Sequence, residues 1–344
     1  MFVMKFFQKE IGTKSTIKCT ACKHYCIIPE NGFGLCGVRK NVKGIIDLVT
    51  HSSPCSLHLD PIEKKPLYHF LPHTNTMSIG FFGCNFRCDF CQNCEISFTR
   101  GTSAEIESKK IKKVSPNQFV SLAKQNKAKS IAITYNEPAI SVEYNLEAIQ
   151  IAHKNKLKSV YVSNGYVSEE QIVQLNKPKT KLDAINIDLK SFNSGFYQKT
   201  CGGQLEGVLD SIKSFHKAGT WVELTTLLIP GKNDSSEELK QIAKFVYDLD
   251  KNIPWHVSAF FPYHKMTNVP PTTDKEIVVA TKIGKENGLN FVYGGNLNNT
   301  ELSSTFCPKC GNLLIKRIGF ESEIIGLEKD KCIKCGEKIK GVFE

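Results

Sequence analysis

The chain has 344 residues, 41% of them hydrophobic, and 45 Lys and Arg against 34 Asp and Glu give it a formal net charge of +11. This is a globular composition with a sizeable core; no apolar run reaches the ~18–20 residues of a membrane span, and Met1-Phe2-Val3-Met4-Lys5-Phe6-Phe7 is too short for a signal-peptide core. The positive charge suggests nucleic acid, yet it counts every thiol as neutral: two four-thiolate zinc sites and a three-cysteine iron–sulfur cube would bring it to about +6.

The dense lysines, Lys109, Lys110, Lys112 and Lys113, read as a solvated face. Eleven of the 14 cysteines stand in tight clusters, which in a reducing compartment mark metal sites, so a cytoplasmic protein is expected. Cys55, Cys94 and Cys201 are left over, and the last two read as small buried hydrophobes.

Four segments follow in chain order. Residues 1–50 form a module around Cys19-x2-Cys22-x3-Cys26-x9-Cys36, whose thiolates suit zinc or a second iron–sulfur cube, with His24 able to replace one of them. Residues 51–76 read as a connector. Residues 77–297 alternate short β-type runs with helical patterns. The runs are MSIGFFG (77–83), SIAITY (130–135), SVYVS (159–163), AINIDL (184–189), WVELTTLLI (221–229) and WHVSAF (255–260), with NFVYGG (290–295) a candidate edge strand. They look buried on both faces, as parallel strands are.

Helix starts lie between these runs. Ser115-Pro116-Asn117-Gln118 offers an N-cap, a proline and a glutamine, and Ser168…Gln171, Ser235…Glu238 and Thr273…Glu276 read as capping boxes. Leu239, Ile242, Ala243, Val246 and Leu249 form one apolar stripe. Six βα units imply an α/β fold, either an open sheet or a full or partial barrel, with ligands at the C-terminal strand ends. Residues 298–344 carry Cys307-Pro-Lys-Cys310-Gly and Cys332-Ile-Lys-Cys335-Gly, the pattern of a four-cysteine zinc ribbon or a rubredoxin-like iron site.

Cys84-x3-Cys88-x2-Cys91 closes the first run. Three thiolates on a 4Fe–4S cube leave one iron open. The amine and carboxylate of S-adenosylmethionine can chelate it, and one electron then cleaves the sulfonium to a 5′-deoxyadenosyl radical. Residues at the other strand ends converge on this loop: Asn136 and Glu137, Ser163 and Asn164, Asp188 and Lys190, and His264 after the sixth run. Thr225, Thr226 and His256 fit an ordinary β-face equally well.

The motif resembles that of the radical S-adenosylmethionine (SAM) superfamily, and KKPLYHFLP…SIGFFGCNFRCDFCQN is similar to the pyruvate formate-lyase activating enzyme type. TYNEP, VSNGY, NIDLKSF, FYQKTCGG, ELTTLLIPGKNDS, PWHVSAF and YGGN look like the AmmeMemoRadiSam system radical SAM enzyme branch. The resemblance implies a partial (β/α)6 TIM-type barrel between the two cysteine modules. It implies a 4Fe–4S cluster on Cys84, Cys88 and Cys91, with Phe90 near the adenine of S-adenosylmethionine. Asn136 and Glu137 then stand where the family binds the amino group, Ser163 and Asn164 at the carboxylate or ribose, Asp188 and Lys190 as the D-x-K pair, and His264 near the ribose or adenine. It also implies an electron donor of flavodoxin or ferredoxin type, and a protein substrate or an AMMECR- or Memo-type partner. Val162 replaces an aspartate that helps hold a monovalent cation in activating enzymes, and Tyr135-Asn136 replaces the glycine pair before the glutamate.

Three functions compete. The first is hydrogen abstraction of the glycyl-radical-activating type. The second is radical modification of a small molecule or a non-glycyl protein site. The third, a zinc-dependent nucleic-acid-binding or scaffold protein, leaves the 84–91 loop unexplained.

Overall fold

The computed structural model describes residues 7–11, 15–98, 112–297 and 300–344. Met1–Phe6, Lys109 and Lys110 lie outside the described residues. No helix among those described is long and apolar enough to cross a membrane.

The N-terminal module is small and built on turns. Strands β1 (Gln8–Glu10), β2 (Thr16–Cys19) and β3 (Ile27–Pro29) form an antiparallel sheet, and β4 (Arg39–Val42) pairs with β5 (Ile45–Leu48). Val42 faces Ile45 across the two-residue turn Lys43-Gly44, both with positive φ, which matches the twist of a tight hairpin.

The central sheet has eight strands: the six expected runs, the candidate edge strand at 290–295, and one strand from the segment read as a connector. In chain order they are β6 (Pro54–Pro61), β7 (Asn75–Phe81), β8 (Ser130–Ile133), β9 (Lys158–Ser163), β10 (Ala184–Asp188), β11 (Trp221–Leu228), β12 (Trp255–Ala259) and β13 (Val292–Gly295). Their spatial order runs β13 to β6 with no reversal; β6 is antiparallel to β7 and every other pairing is parallel. Helices α1 (Pro116–Gln125), α2 (Val142–Lys154), α3 (Glu169–Leu175), α4 (Leu205–Lys217), α5 (Ser236–Asp250) and α6 (Asp274–Glu286) make the crossovers. β6 lies within the segment read as a connector. Its PCSLHLDP sequence alternates Cys55, Leu57 and Leu59 with Ser56, His58 and Asp60 and is bounded by prolines, as suits an edge strand.

An order without reversal keeps right-handed crossovers on one face. The packing agrees with this. Ile131, Ile133, Ile185 and Ile187 share a core with helix residues such as Phe119, Ile149 and Val208. Ala132, Val160 and Ala184, on the opposite face, pack against Ile62, Leu67 and Phe70. Residues 62–71 therefore cover part of that face and leave the C-terminal strand ends to build a site.

The helix caps separate two kinds of signal. Ser115/Gln118 and Thr273/Glu276 form complete capping boxes. Ser168 and Ser235 cap their helices, but their third residues are used elsewhere. Gln171 donates to Ala139 O at 3.1 Å, and Glu238 accepts from Ser191 Oγ and from Phe192 N. Tertiary partners outcompeted the local box.

The C-terminal module joins β14 (Thr305–Phe306), β15 (Leu313–Ile318) and β16 (Glu321–Ile324) with the hairpin β17 (Leu327–Glu328) and β18 (Lys331–Cys332). It packs at the N-terminal end of the main sheet, where buried Arg317 donates to Tyr68 O at 2.7 Å and lies 4.1 Å from the Tyr68 ring centre.

Candidate active site and cysteine sites

Gly83 ends the first parallel strand with φ +95°, and a Cβ there would stand 2.7 Å from Cys36 O and Val38. Only glycine permits this turn. The loop that follows is pinned on both sides. Arg87 N donates to Cys201 O at 2.7 Å, Asp89 N to Thr200 O at 2.9 Å and Lys265 N to Asp89 O at 3.0 Å, while Gly83 N reaches Ile96 O in the short helix Cys94–Ser97.

Burial raises the Cys84 and Cys91 thiols, and a hydrogen bond to Cys201 followed by burial raises Cys88. Such thiols ionise only when a cation shares the charge. Among the described residues, no three of them, with any neighbouring His, Asp or Glu, converge to within 4.8 Å as the C-terminal thiols do. That wider spacing suits a cube, whose ligand sulfurs sit on separate irons. The residues present thus fit a three-cysteine cluster.

The other strand ends surround this loop. Glu137 is 1% exposed; its carboxylate accepts from Ala139 N at 2.9 Å, Ser163 Oγ at 2.9 Å and Asn164 N at 2.8 Å. Burial pushes its pKa up to about 7 despite those donors. The Asn136 amide donates to Phe81 O and Gly83 O, joining β7 to the loop after β8. Asn164 donates to Asn85 Oδ1 at 2.7 Å and approaches Cys84 Sγ at 3.9 Å.

Lys190 pairs with Asp188 at 2.7 Å and stands 5.7 Å from the Phe90 ring centre. Burial alone would lower its pKa, but Asp188 and the nearby thiols raise it well above the usual lysine value. Phe90 stacks on Phe196 at 5.9 Å. His264 lies beside the loop, its ring 4.8 Å from Phe98, and its buried Nε2 has no hydrogen-bond partner among the described residues.

Other candidates are placed elsewhere. His256 lies near the start of β12, bonded to Glu223 at 2.7 Å, away from the strand ends. Thr225 bonds Asn186, and Thr226 bonds Leu189 O and the Trp255 indole, so both serve the sheet. His24 Nε2 is 2.8 Å from Asn85 O and is thereby engaged by backbone.

Sequence reasoning missed three residues. Asn85 bridges the loop to Asn164, Phe196 backs Phe90, and Cys201 faces Cys88. FYQKTCGG contained two of them, but nothing local assigns a face to a five-residue turn that forms a π-helix, Tyr197–Cys201.

The C-terminal thiols form a compact cage. Cys307–Cys335 and Cys310–Cys332 are 3.6 and 3.7 Å apart, and all four sulfurs lie within 4.8 Å of one another. Gly311 and Gly336, at φ 69° and 71°, close the two knuckles.

Residues 78–246 match the radical SAM superfamily. The chain belongs to that superfamily. It is 40% identical to an uncharacterized protein of Methanocaldococcus jannaschii over 97% of each chain. It is 27% identical to a second protein of that organism, whose name assigns it provisionally to the glycyl-radical enzyme activating enzymes, over 59% of this chain and 74% of the relative. The crystal structure of a radical SAM methyltransferase from Sphaerobacter thermophilus shares the fold at TM-score 0.52 and 15% identity, covering 71% of each chain. For this radical SAM protein the family implies a 4Fe–4S cluster and S-adenosylmethionine.

Proposed function

We propose that this radical SAM protein abstracts a hydrogen atom from a C–H bond of a protein substrate, in the manner of glycyl-radical-enzyme activating enzymes. The observation that carries the reading is the three-thiol loop at the end of β7, walled by residues from the ends of β8, β9 and β10. When bound, the reduced cluster and S-adenosylmethionine supply a 5′-deoxyadenosyl radical.

In this reading Cys84, Cys88 and Cys91 hold the cube and Phe90 packs beside the adenine. Lys190 takes the methionyl carboxylate. Ser163, Asn164 and His264 contact the carboxylate, ribose or adenine. Glu137 either takes the amino group beside Asn136 or, through its bonds to Ser163 and Asn164, positions those two. The 27% identical activating-enzyme relative supports the reaction type. The strand order without reversal supports a partial barrel, and the compact C-terminal cage supports zinc. The AmmeMemoRadiSam branch, a flavodoxin- or ferredoxin-type donor, an AMMECR- or Memo-type partner and a cytoplasmic site complete the proposal.

The test is anaerobic reconstitution with iron and sulfide, reduction with S-adenosylmethionine, and 5′-deoxyadenosine detection by mass spectrometry. The native chain is expected to form it, and a Cys84/Cys88/Cys91 triple alanine variant is not. A chain that assembles no cluster on these residues sinks the reading. A glycyl radical signal in a candidate partner, dependent on the enzyme, distinguishes activation from other radical modifications.

A further inference from the structure

The N-terminal cysteines are arranged differently from the C-terminal ones, and the difference is chemical. A tetrahedral zinc with Zn–S of about 2.3 Å forces its sulfurs to about 3.8 Å apart. The C-terminal cage shows this spacing. A 4Fe–4S cube places each ligand sulfur on a different iron, so the sulfurs stand farther apart than around a single tetrahedral ion.

Cys19, Cys22, Cys26 and Cys36 all line one small, largely enclosed cavity of about 10 Å³, where sulfurs drawn onto a single tetrahedral ion would leave no free space. Yet no three of these sulfurs lie within 4.8 Å of one another; among the described residues only the C-terminal four do. Gly34 lines the cavity between two of the thiols: a Cβ there would meet Ile28 at 3.4 Å and both Cys26 Sγ and Cys36 Sγ at 3.7 Å, ordinary contact distances.

The sulfurs receive donors. Arg39 Nε donates to Cys19 Sγ at 3.2 Å and Leu35 N to Cys26 Sγ at 3.5 Å. Arg39 is itself 2% exposed and fixed by two 2.7 Å bonds to Glu143 of α2. A buried cation held against a thiolate offsets the negative charge of a cluster, and hydrogen bonds to its sulfurs tune its potential. The cavity is also lined by Asn85, the neighbour of Cys84, and by Ile140. The two cysteine sites therefore share a wall.

We infer that Cys19, Cys22, Cys26 and Cys36 bind a second 4Fe–4S cluster, not zinc. This assignment does not depend on the reaction proposed above. It is tested by metal and sulfide analysis with electron paramagnetic resonance, on full-length chains reconstituted anaerobically with iron, sulfide and zinc together. The native chain is expected to hold about eight irons and one zinc. The Cys84/Cys88/Cys91 triple alanine variant should keep about four irons, with a reduced-cluster signal indifferent to S-adenosylmethionine. The complementary Cys19/Cys22/Cys26/Cys36 serine variant should lose the other four and keep the signal that S-adenosylmethionine perturbs. About four irons and two zincs in the native chain would overturn the inference, and so would a triple variant that folds with two zincs and no iron. The native count decides the matter even where a variant fails to fold.

Discussion

Asn164 donates its side-chain amide to Asn85 Oδ1 at 2.7 Å, and this bond ties the end of β9 to the residue between Cys84 and Phe86. Asn85 in turn donates to Tyr166 O at 3.3 Å, and Asn164 Oδ1 accepts from Tyr166 N at 2.9 Å. The two asparagines thus form a closed clasp around the first cluster cysteine. Asn85→Ala would leave the buried Asn164 amide without this acceptor and free the loop to shift. Partners behind metal ligands are worth about 10–100-fold in activity or affinity. The variant is expected to retain near-native iron while 5′-deoxyadenosine formation falls within that range, measured by iron analysis and mass spectrometry on the same sample.

Lys190 stands over the Phe90 ring, and its partner Asp188 holds it protonated. Lys190→Met keeps most of the stem's volume and removes the charge. Loss of a charge-assisted bond to a carboxylate costs about 1.5–3 kcal/mol. S-adenosylmethionine affinity is therefore expected to fall by about 10–100-fold, with cluster content unchanged, read by titrating the cluster's paramagnetic signal. An unchanged affinity would leave Lys190 as a structural partner of Asp188 alone.

The strands that build the site were legible because burial on both faces leaves continuous β-rich runs such as SIAI and AINID, and all six runs form strands. Caps were legible where the box closes on itself, as at Ser115, and misled where a tertiary partner took the side chain, as at Glu238. β6 was overlooked although Cys55, Leu57 and Leu59 alternate with Ser56, His58 and Asp60, because Pro54 and Pro61 bound the run and read as breakers; it is an edge strand that pairs on one side only. The C-x2-C-G and C-x3-C-x2-C spacings announced thiol sites because chelation fixes sequence separation locally. The contacts Asn85–Asn164 and Phe90–Phe196 join residues 79 and 106 apart, which no local pattern encodes.

His69 gives the fold a pH dependence. It is buried between the base of the main sheet and the C-terminal module, its Nδ1 2.8 Å from Lys340 O and its Nε2 2.6 Å from Tyr293 OH. A neutral ring satisfies both, donating to the carbonyl and accepting from the hydroxyl. Burial lowers its pKa from 6.5 to about 4. Between those values the unfolded chain binds a proton that the folded chain refuses, so stability falls as pH drops. From pH 7 to pH 5 the loss is about 2 kcal/mol. Anaerobic urea denaturation should show His69→Gln to be less stable at pH 7 but flatter across this interval. An identical slope in both proteins would remove His69 as its source.

The C-terminal cage makes a different demand on the metal. β14 to β18 cover a small core of Cys307, Leu314, Ile315, Cys332 and Ile339, shared with Tyr68, Phe291 and Tyr293 of the main domain. So few apolar residues do not fold such a module alone, and a structural four-thiolate metal supplies about 10 kcal/mol or more. Cys332→Ser with Cys335→Ser should therefore release one metal ion and unfold the module. Arg317 would then leave Tyr68 O, and the 62–71 segment would lose one side of its packing. The eight-stranded sheet keeps its own helices and its own cysteine loop, so the iron held at Cys84, Cys88 and Cys91 should remain. Limited proteolysis read by mass spectrometry is expected to cut the variant after residue 300 and spare the native chain. Loss of the cluster iron together with the module would instead make the C-terminal cage a requirement for folding the whole chain.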